Sequence, residues 1–495
     1  MIVTVFSVSE KFLGFLYRIY MSRAIGAEGV GLYSVAISIF GLIFTVICSG
    51  TPITVSRLMT KYKAQNDNIK VNKVITAGII WTLIIAVPVC LVFMLFPNSF
   101  SFLFADQRCL SVFLVLLPGL IFTSVYSVLR GVFWGNKDFL PYSITELLEE
   151  ICMIVVGIIL INSATSVFQG AFRAGVAVLV SYVFSFTLST IIFFVRKNRL
   201  INPIGEFKPL LTSALPVTAM RTVTSLASSI VSIVLPLRLV VAGYSNSEAL
   251  SLFGSAVGQA IPLLFIPTTL IGSFTLVLIP EISTNYYQKK FALLKNDVEK
   301  AIKFTCFLTC LFIPVYFVLG EEIGVLVFDN YECGKYLSVS AFLMLFMGLN
   351  NITTSILNSI GQEKKVLFYS IISGVIMLLC IWFLPLVMGI YSLLVGFTFV
   401  YGLTTILNVL LIKKFIPNRV RINRFIAYSL AFLLPTSLLG LMLEKLLLSY
   451  LGTLWCFMII SGVLILFNAL LYVGFNLIDL SFIKSKKTNK KRAIA

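Results

Sequence analysis

Fourteen apolar stretches, each long enough to cross a bilayer, divide this 495-residue chain and leave little polar sequence between them. A helix needs about 20 predominantly apolar residues to span a hydrocarbon core of about 30 Å. Inside lipid the backbone must satisfy its own polar groups, so unbroken runs such as 74–96, 151–161 with its flanks, and 455–475 predict helices. With 59% hydrophobic and 12% charged residues, no soluble core could hide so much apolar surface. The expected fold class is an all-α polytopic membrane protein. Its spans are expected near 3–25, 30–56, 74–96, 110–134, 140–161, 168–195, 209–241, 251–280, 301–320, 337–360, 366–385, 390–412, 425–443 and 452–478.

Basic residues fall on alternate connections. Lys61, Lys63, Lys70 and Lys73 follow the second span, Lys137 the fourth, and Arg196, Lys197, Arg199 and Lys208 the sixth. Lys289, Lys290, Lys295 and Lys300 follow the eighth, Lys364 and Lys365 the tenth, and Lys413, Lys414, Arg419, Arg421 and Arg424 the twelfth. The tail adds six more between Lys484 and Arg492. The intervening connections hold Arg108, Lys335 and Lys445 among acids such as Glu28, Asp106, Glu321, Glu322 and Asp329. Lys and Arg accumulate on the cytoplasmic side, so both termini are expected there. The net charge of +18 is dispersed over these short loops, which points to anionic lipid headgroups rather than nucleic acid.

The chain contains no histidine, which removes the usual general base and the Ser–His and Cys–His nucleophile pairs. It has no Gly-rich phosphate loop and no dinucleotide fingerprint. Its nine cysteines are scattered, and Cys306 and Cys310 inside one span read as packing rather than as ligands. The expectation is therefore a protein that is not an enzyme and takes no metal or other cofactor. The first 25 residues do not resemble a cleavable leader, since they carry Arg18 and end without a small-residue cleavage site.

An internal repeat is present. Arg18–Ala36 aligns with Arg238–Ala256 at an offset of 220, pairing Arg18 with Arg238, Glu28 with Glu248 and Leu32 with Leu252. At an offset of 224, Thr60 meets Thr284 and Tyr62 meets Tyr286. Gly135-Asn136-Lys137 ahead of Tyr142-Ser143-Ile144 matches Gly361-Gln362-Glu363-Lys364 ahead of Tyr369-Ser370-Ile371. Six spans is an even number, so both copies enter the membrane with the same orientation, an arrangement used by secondary transporters. The expected organisation is an N-lobe over 1–195, a cytoplasmic linker 196–208, a C-lobe over 209–415, an added helix pair 416–480 and a basic tail 481–495.

Charges inside the spans are few: Glu10, Lys11, Arg18, Arg23, Arg130, Glu146, Glu149, Glu150, Arg173, Arg221 and Arg238. Each costs roughly 2.5–3.5 kcal/mol or more at the bilayer centre, so each faces a wet cavity or a partner. Arg18 and its repeat counterpart Arg238 are cavity candidates, with Arg221, Arg23 and Arg57 behind them. Guanidinium groups converging on one cavity suit a phosphorylated anion. Arg23, Arg130 and Arg173 lie near span ends, where reaching to the interface is the alternative, open to Arg238 as well. Glu149 is either a structural partner for an arginine or, with Glu146 and Glu150 on one helical turn, part of a titrating or cation-lining cluster.

Several segments resemble the stage V sporulation protein B family. They are Lys11-Phe12-Leu13-Gly14-Phe15-Leu16-Tyr17-Arg18-Ile19, Arg23-Ala24-Ile25-Gly26-Ala27-Glu28-Gly29-Val30-Gly31-Leu32-Tyr33 and Gly50-Thr51-Pro52 through Arg57. Further along come Ala214-Leu215-Pro216 through Arg221, Leu235-Pro236-Leu237-Arg238 and Leu278-Ile279-Pro280-Glu281. The resemblance runs over nearly the whole chain. It implies a fourteen-helix, two-lobed exporter of the bacterial cell membrane, related to lipid II flippases. It also places Arg18, Arg23, Arg57, Arg221, Arg238 and Glu149 at motif positions, with cavity arginines holding a lipid-linked diphosphate. Two departures stand out: the chain begins late, as a different start site would produce, and Gly50-Thr51-Pro52 replaces Gly-Leu-Pro.

The function expected from these readings is alternating-access transfer of an undecaprenyl-diphosphate-linked oligosaccharide, a peptidoglycan precursor being the favoured cargo and spore cortex one destination. The partners expected are that lipid-linked oligosaccharide and the membrane lipids, with the coupling ion left open. The alternatives are a cation-coupled multidrug antiporter of the same fold and a non-transporting scaffold for cell-wall synthases.

Overall fold

Each α-helix satisfies its backbone groups internally and needs no sheet, and the computed structural model contains no strand among its described residues. Those residues are 2–196, 198–416, 420–447, 452–475 and 477. The basic tail expected over 481–495 lies outside them. Two compact units divide the chain, Met1–Gln259 and Ala260–Ala495.

The first unit contains α1 (Ile2–Cys48), α2 (Thr51–Ala64), α3 (Asn68–Leu95), α4 (Gln107–Gly135), α5 (Phe139–Asn162), α6 (Val167–Val195), α7 (Phe207–Val241) and α8 (Asn246–Phe253). At 47 residues, α1 is too long to be one straight span; a helix of that length runs roughly 70 Å. It breaks at Gly26, whose φ of 67° and ψ of 178° only glycine adopts readily. The expected spans 3–25 and 30–56 meet at this break. The second ends sooner than expected, at Cys48, and Gly50 with Pro52 starts α2 afresh.

α4 sits at the centre of the first unit, packed by α1, α2, α3 and α6, while α5 covers α1 and α6. Close approach depends on missing side chains. A Cβ on Gly14 of α1 would lie 2.8 Å from Glu150 Oε1 on α5, and one on Gly157 would strike the Tyr17 ring. Gly31 of α1 lies against the Leu250 carbonyl of α8, and Gly254 against the Ala27 carbonyl. The 196–208 segment is fastened to the helices beside it: Ile201 N donates to Thr76 Oγ1 at 3.1 Å, and Tyr62 Oη donates to Glu206 Oε2 at 2.7 Å.

The second unit contains α9 (Ile261–Tyr287), α10 (Phe291–Val318), α11 (Gly320–Phe328), α12 (Tyr331–Ser340), α13 (Leu343–Ser359), α14 (Glu363–Phe383), α15 (Pro385–Met388), α16 (Ser392–Phe397), α17 (Thr404–Phe415), α18 (Ile422–Leu447) and α19 (Thr453–Gly474). α10 is its hub, in contact with α9, α13, α18 and α19. A buried polar network holds α18 and α19 to it. Asn468 Nδ2 donates to the Cys310 carbonyl at 2.7 Å, and Ser429 Oγ pairs with Tyr472 Oη at 2.6 Å. Cys306 and Cys310 are buried in this seam, and Cys310 Sγ donates to the Ser429 carbonyl.

One expected span is broken, and another carries a π-helical segment within a continuous run. Residues 337–360 divide into α12 and α13, bent by 58°. Residues 390–412 lie within one span-length run, Pro385–Phe415, in which a π-helical segment, Thr398–Leu403, links α16 to α17 beyond Gly389, whose φ is 54°. Another π segment, Gly254–Ala260, joins α8 to α9 within the expected span 251–280. Among the described residues ten helices are long and apolar enough to cross a membrane, or eleven with the bent pair taken as one span. α5 is outside that number because it carries Glu146, Glu149 and Glu150 in one turn. The protein is a multi-pass helical membrane protein.

The sequence repeat has a backbone counterpart. Non-glycine residues in the left-handed region close the turns at Asn66 and Lys289, 223 positions apart. The turns at Lys137 and Gly361, 224 apart, are left-handed too. Likewise the Gly26 break in α1 falls at the repeat position of Asn246, the first residue of α8.

Candidate functional site

Two adjoining cavities open inside the first unit, sharing Phe44 and Arg130 as lining residues. The hairpin of α4 and α5 sets up the first. Its tight turn, with Lys137 at φ 60°, makes Asp138 the midpoint between Arg130 and Glu146, so the two lie at one depth. Arg130 Nη1 meets Glu146 Oε1 at 3.1 Å, and the guanidinium stacks 5.3 Å from the Trp134 ring centroid. The hairpin is tied to the end of α6 by an Arg196–Asp138 ion pair and to α2 by Lys63 donating to Asn136.

This first cavity, about 230 Å³, is lined by Glu10 of α1, Tyr126, Ser127 and Arg130 of α4, Glu146, Glu149 and Glu150 of α5, and Tyr182 of α6. Four carboxylates therefore face one guanidinium. Tyr126 and Ser127 are 4% and 2% exposed, and the hydroxyl of each has no hydrogen-bond partner. Arg130 Nε is likewise buried and unpartnered. A helix hairpin carrying this many unmet polar groups at membrane depth is stable only around a polar content.

The second cavity, about 340 Å³, is lined by Phe44, Thr45, Cys48 and Ser49 of the α1 end with Arg130, Arg221 and Ser225. Gly50 explains why Arg221 reaches it. A Cβ there would lie 2.9 Å from the Thr218 backbone nitrogen and would strike the Ala214 carbonyl, so only glycine lets α7 press this close. The Gly50 N–H donates to Thr218 Oγ1 at 3.2 Å, and Ser225 Oγ donates to Thr45 Oγ1 at 3.4 Å. Arg221 remains exposed and reaches the cavity one helical turn beyond Thr218.

Of the expected site residues, Glu149 and Arg221 line these cavities. Arg18 is drawn instead to the π segment after α8, where its Nη1 donates to the Gly258 carbonyl at 3.2 Å. Beside it Gln259 Nε2 donates to Ser22 Oγ at 2.5 Å. Arg23 and Arg57 are exposed on α1 and α2, and Arg238 is half-buried near the end of α7; none of the three lines either cavity. Arg173 caps the end of α5 through Ser163 Oγ at 2.7 Å and the Leu160 carbonyl at 3.2 Å. Arg130, for which reaching to the interface was one reading, is a wall of both cavities. Its equal distance from the turn with Glu146 was the signal that could have revealed this. Glu10 was visible only as a charge in a span, with nothing local to aim it at α5.

Comparison with known proteins places this architecture. The profile of the polysaccharide biosynthesis protein family matches residues 1–286. Stage V sporulation protein B of Bacillus subtilis (strain 168) is 25% identical over 440 residues, covering 85% of this chain and 84% of that protein. A structure of the lipid II flippase MurJ in an inward closed conformation superposes with a TM-score of 0.72 at 16% identity, covering 96% of this chain and 99% of that one. An inward-facing multidrug resistance MATE transporter of the MOP superfamily gives a TM-score of 0.67 at 16% identity, covering 81% and 93%. The fold is that of these transporters.

Proposed function

This chain belongs to the polysaccharide biosynthesis protein family, and from that membership we propose that it is a flippase for a lipid-linked oligosaccharide. The cargo is an undecaprenyl-diphosphate-linked glycan of the peptidoglycan-precursor type, moved from the cytoplasmic leaflet by alternating access; spore cortex is one destination. The single observation that carries this reading is the second cavity, where Arg130 and Arg221 line about 340 Å³ of space inside a helical membrane unit. Guanidinium pairs bidentately with phosphate, and its charge offsets the cost of drawing a diphosphate out of water. The sporulation-protein and flippase likenesses support the same cargo class.

The remaining expected cations, Arg18, Arg23, Arg57 and Arg238, belong to the proposal as partners at other stages of the cycle. A neutral carbonyl is a weaker acceptor than a phosphate oxygen, so Arg18 can exchange Gly258 for the diphosphate. The full arrangement proposed is fourteen spans with both termini cytoplasmic, two six-span lobes over 1–195 and 209–415, and an added pair over 416–480. Reconstituted protein should move a fluorescent diphosphate-linked glycolipid between leaflets, measured by quenching from one side. Arg221→Ala should slow this about tenfold or more, with little effect on stability because the side chain is exposed. Full activity in both Arg221→Ala and Arg18→Ala would overturn the proposal.

A second reading, a multidrug antiporter of the same fold, is favoured by the four carboxylates of the first cavity. Cation-driven uptake of ethidium into everted vesicles, absent under the first reading, separates the two.

A further inference from the structure

We infer that the first cavity is a subsite for an organic ammonium group. Resting on the flippase reading, this makes the headgroup amphoteric: its diphosphate sits on the Arg221 side of Arg130 and a free amine on the other.

Charge balance makes the case. Glu146 is neutralised by Arg130, while among the described residues Glu10, Glu149 and Glu150 form no salt bridge. Carboxylates gathered in a half-buried cavity repel one another, and either proton uptake or a cationic occupant relieves that repulsion. The independent observation is the pair of hydroxyls in the same lining. Tyr126 Oη and Ser127 Oγ are more than nine-tenths buried and without a partner, so the cavity is built to hydrogen-bond something it does not supply.

Size and shape select the class of cation. Among the described residues no three acidic, thiol or imidazole groups come together closely enough to hold one metal ion. The carboxylates are instead spread around about 230 Å³, room for several waters or a small alkylammonium. Three of the walls are aromatic: Phe44, Tyr126 and Tyr182. Ring faces attract an ammonium, and its three N–H donors need acceptors arranged around it rather than at one point. The Phe44 and Arg130 wall common to both cavities keeps anion and cation apart on neighbouring sites, a spacing that a headgroup carrying both charges can bridge.

The test uses the full chain in lipid nanodiscs, titrated calorimetrically with 1,5-diaminopentane, with 1,5-pentanediol as the uncharged match and with inorganic pyrophosphate. The diamine should bind saturably and the diol should not. The double variant Glu10→Gln with Glu150→Gln should weaken diamine binding about tenfold or more while leaving pyrophosphate binding intact, which also reports correct folding. Binding of the diol as tight as the diamine, or an unchanged diamine affinity in the variant, overturns the inference. Loss of pyrophosphate binding in the wild type, with the diamine still bound, would sink the diphosphate reading and spare this cavity. Finally, a diphosphate-linked glycolipid with a free primary amine should be flipped about tenfold faster than its N-acetylated form. Equal rates would overturn the assignment of that amine to the headgroup.

Discussion

Arg130 has opposed duties that can be measured separately. Its guanidinium pairs with Glu146, stacks on Trp134 and still presents a buried Nε with no partner. The pair is partly buried, at 26% and 17% side-chain exposure, so breaking it strands a desolvated charge. Glu146→Ala alone should destabilise the protein by about 1–3 kcal/mol. Adding Arg130→Met should recover part of that loss, because neither charge then remains unmet. Thermal unfolding in one detergent across the double-mutant cycle measures it. A double variant as unstable as the sum of its singles would show that the two residues act independently. The Arg130–Glu146 pairing was legible in their equal distance from the turn, but contacts between distant segments were not. Arg18 shows the limit: one helix face contains it, yet the Gly258 carbonyl that holds it belongs to a π segment 240 residues away.

At the scale of elements, glycines decide where helices bend and how closely they pass. Gly26 has no atom within 4 Å of an added Cβ, so its φ of 67° alone resists substitution. Gly26→Ala should therefore cost about 1–3 kcal/mol through backbone strain, with no packing loss. Gly31→Ala should be worse, because its Cβ would run into the Leu250 carbonyl. Comparing the two melting temperatures separates conformational cost from steric cost; equal losses would contradict this division. Span positions were readable from apolar run length, and the Gly26 break fell where two runs met. The 58° bend between α12 and α13 and the two π segments were not readable. Such breaks depend on what neighbouring helices satisfy, and no residue in 341–343 marks one by itself.

For the whole molecule, the alternation of basic loops makes a topological prediction independent of cargo. In cells expressing a variant without the half-exposed Cys152 and Cys380, Ser163→Cys should react with a membrane-impermeant maleimide from outside. Asn66→Cys should react only after permeabilisation, since its loop sits among Lys61, Lys63 and Lys70. Labelling of both in intact cells would refute the proposed orientation. Turns closed by left-handed residues recur 223 and 224 positions apart, close to the offsets of 220 and 224 in the sequence alignment.

By itself the sequence determined that the protein is helical and membrane-embedded. Those features follow from transfer free energy and chain periodicity, which are summed locally along the chain. Tertiary structure alone decided which distant charges meet. A glutamate on α1 joins three on α5, and an arginine on α7 joins one on α4, because glycines at 14 and 50 let backbones approach where no local pattern could foretell it.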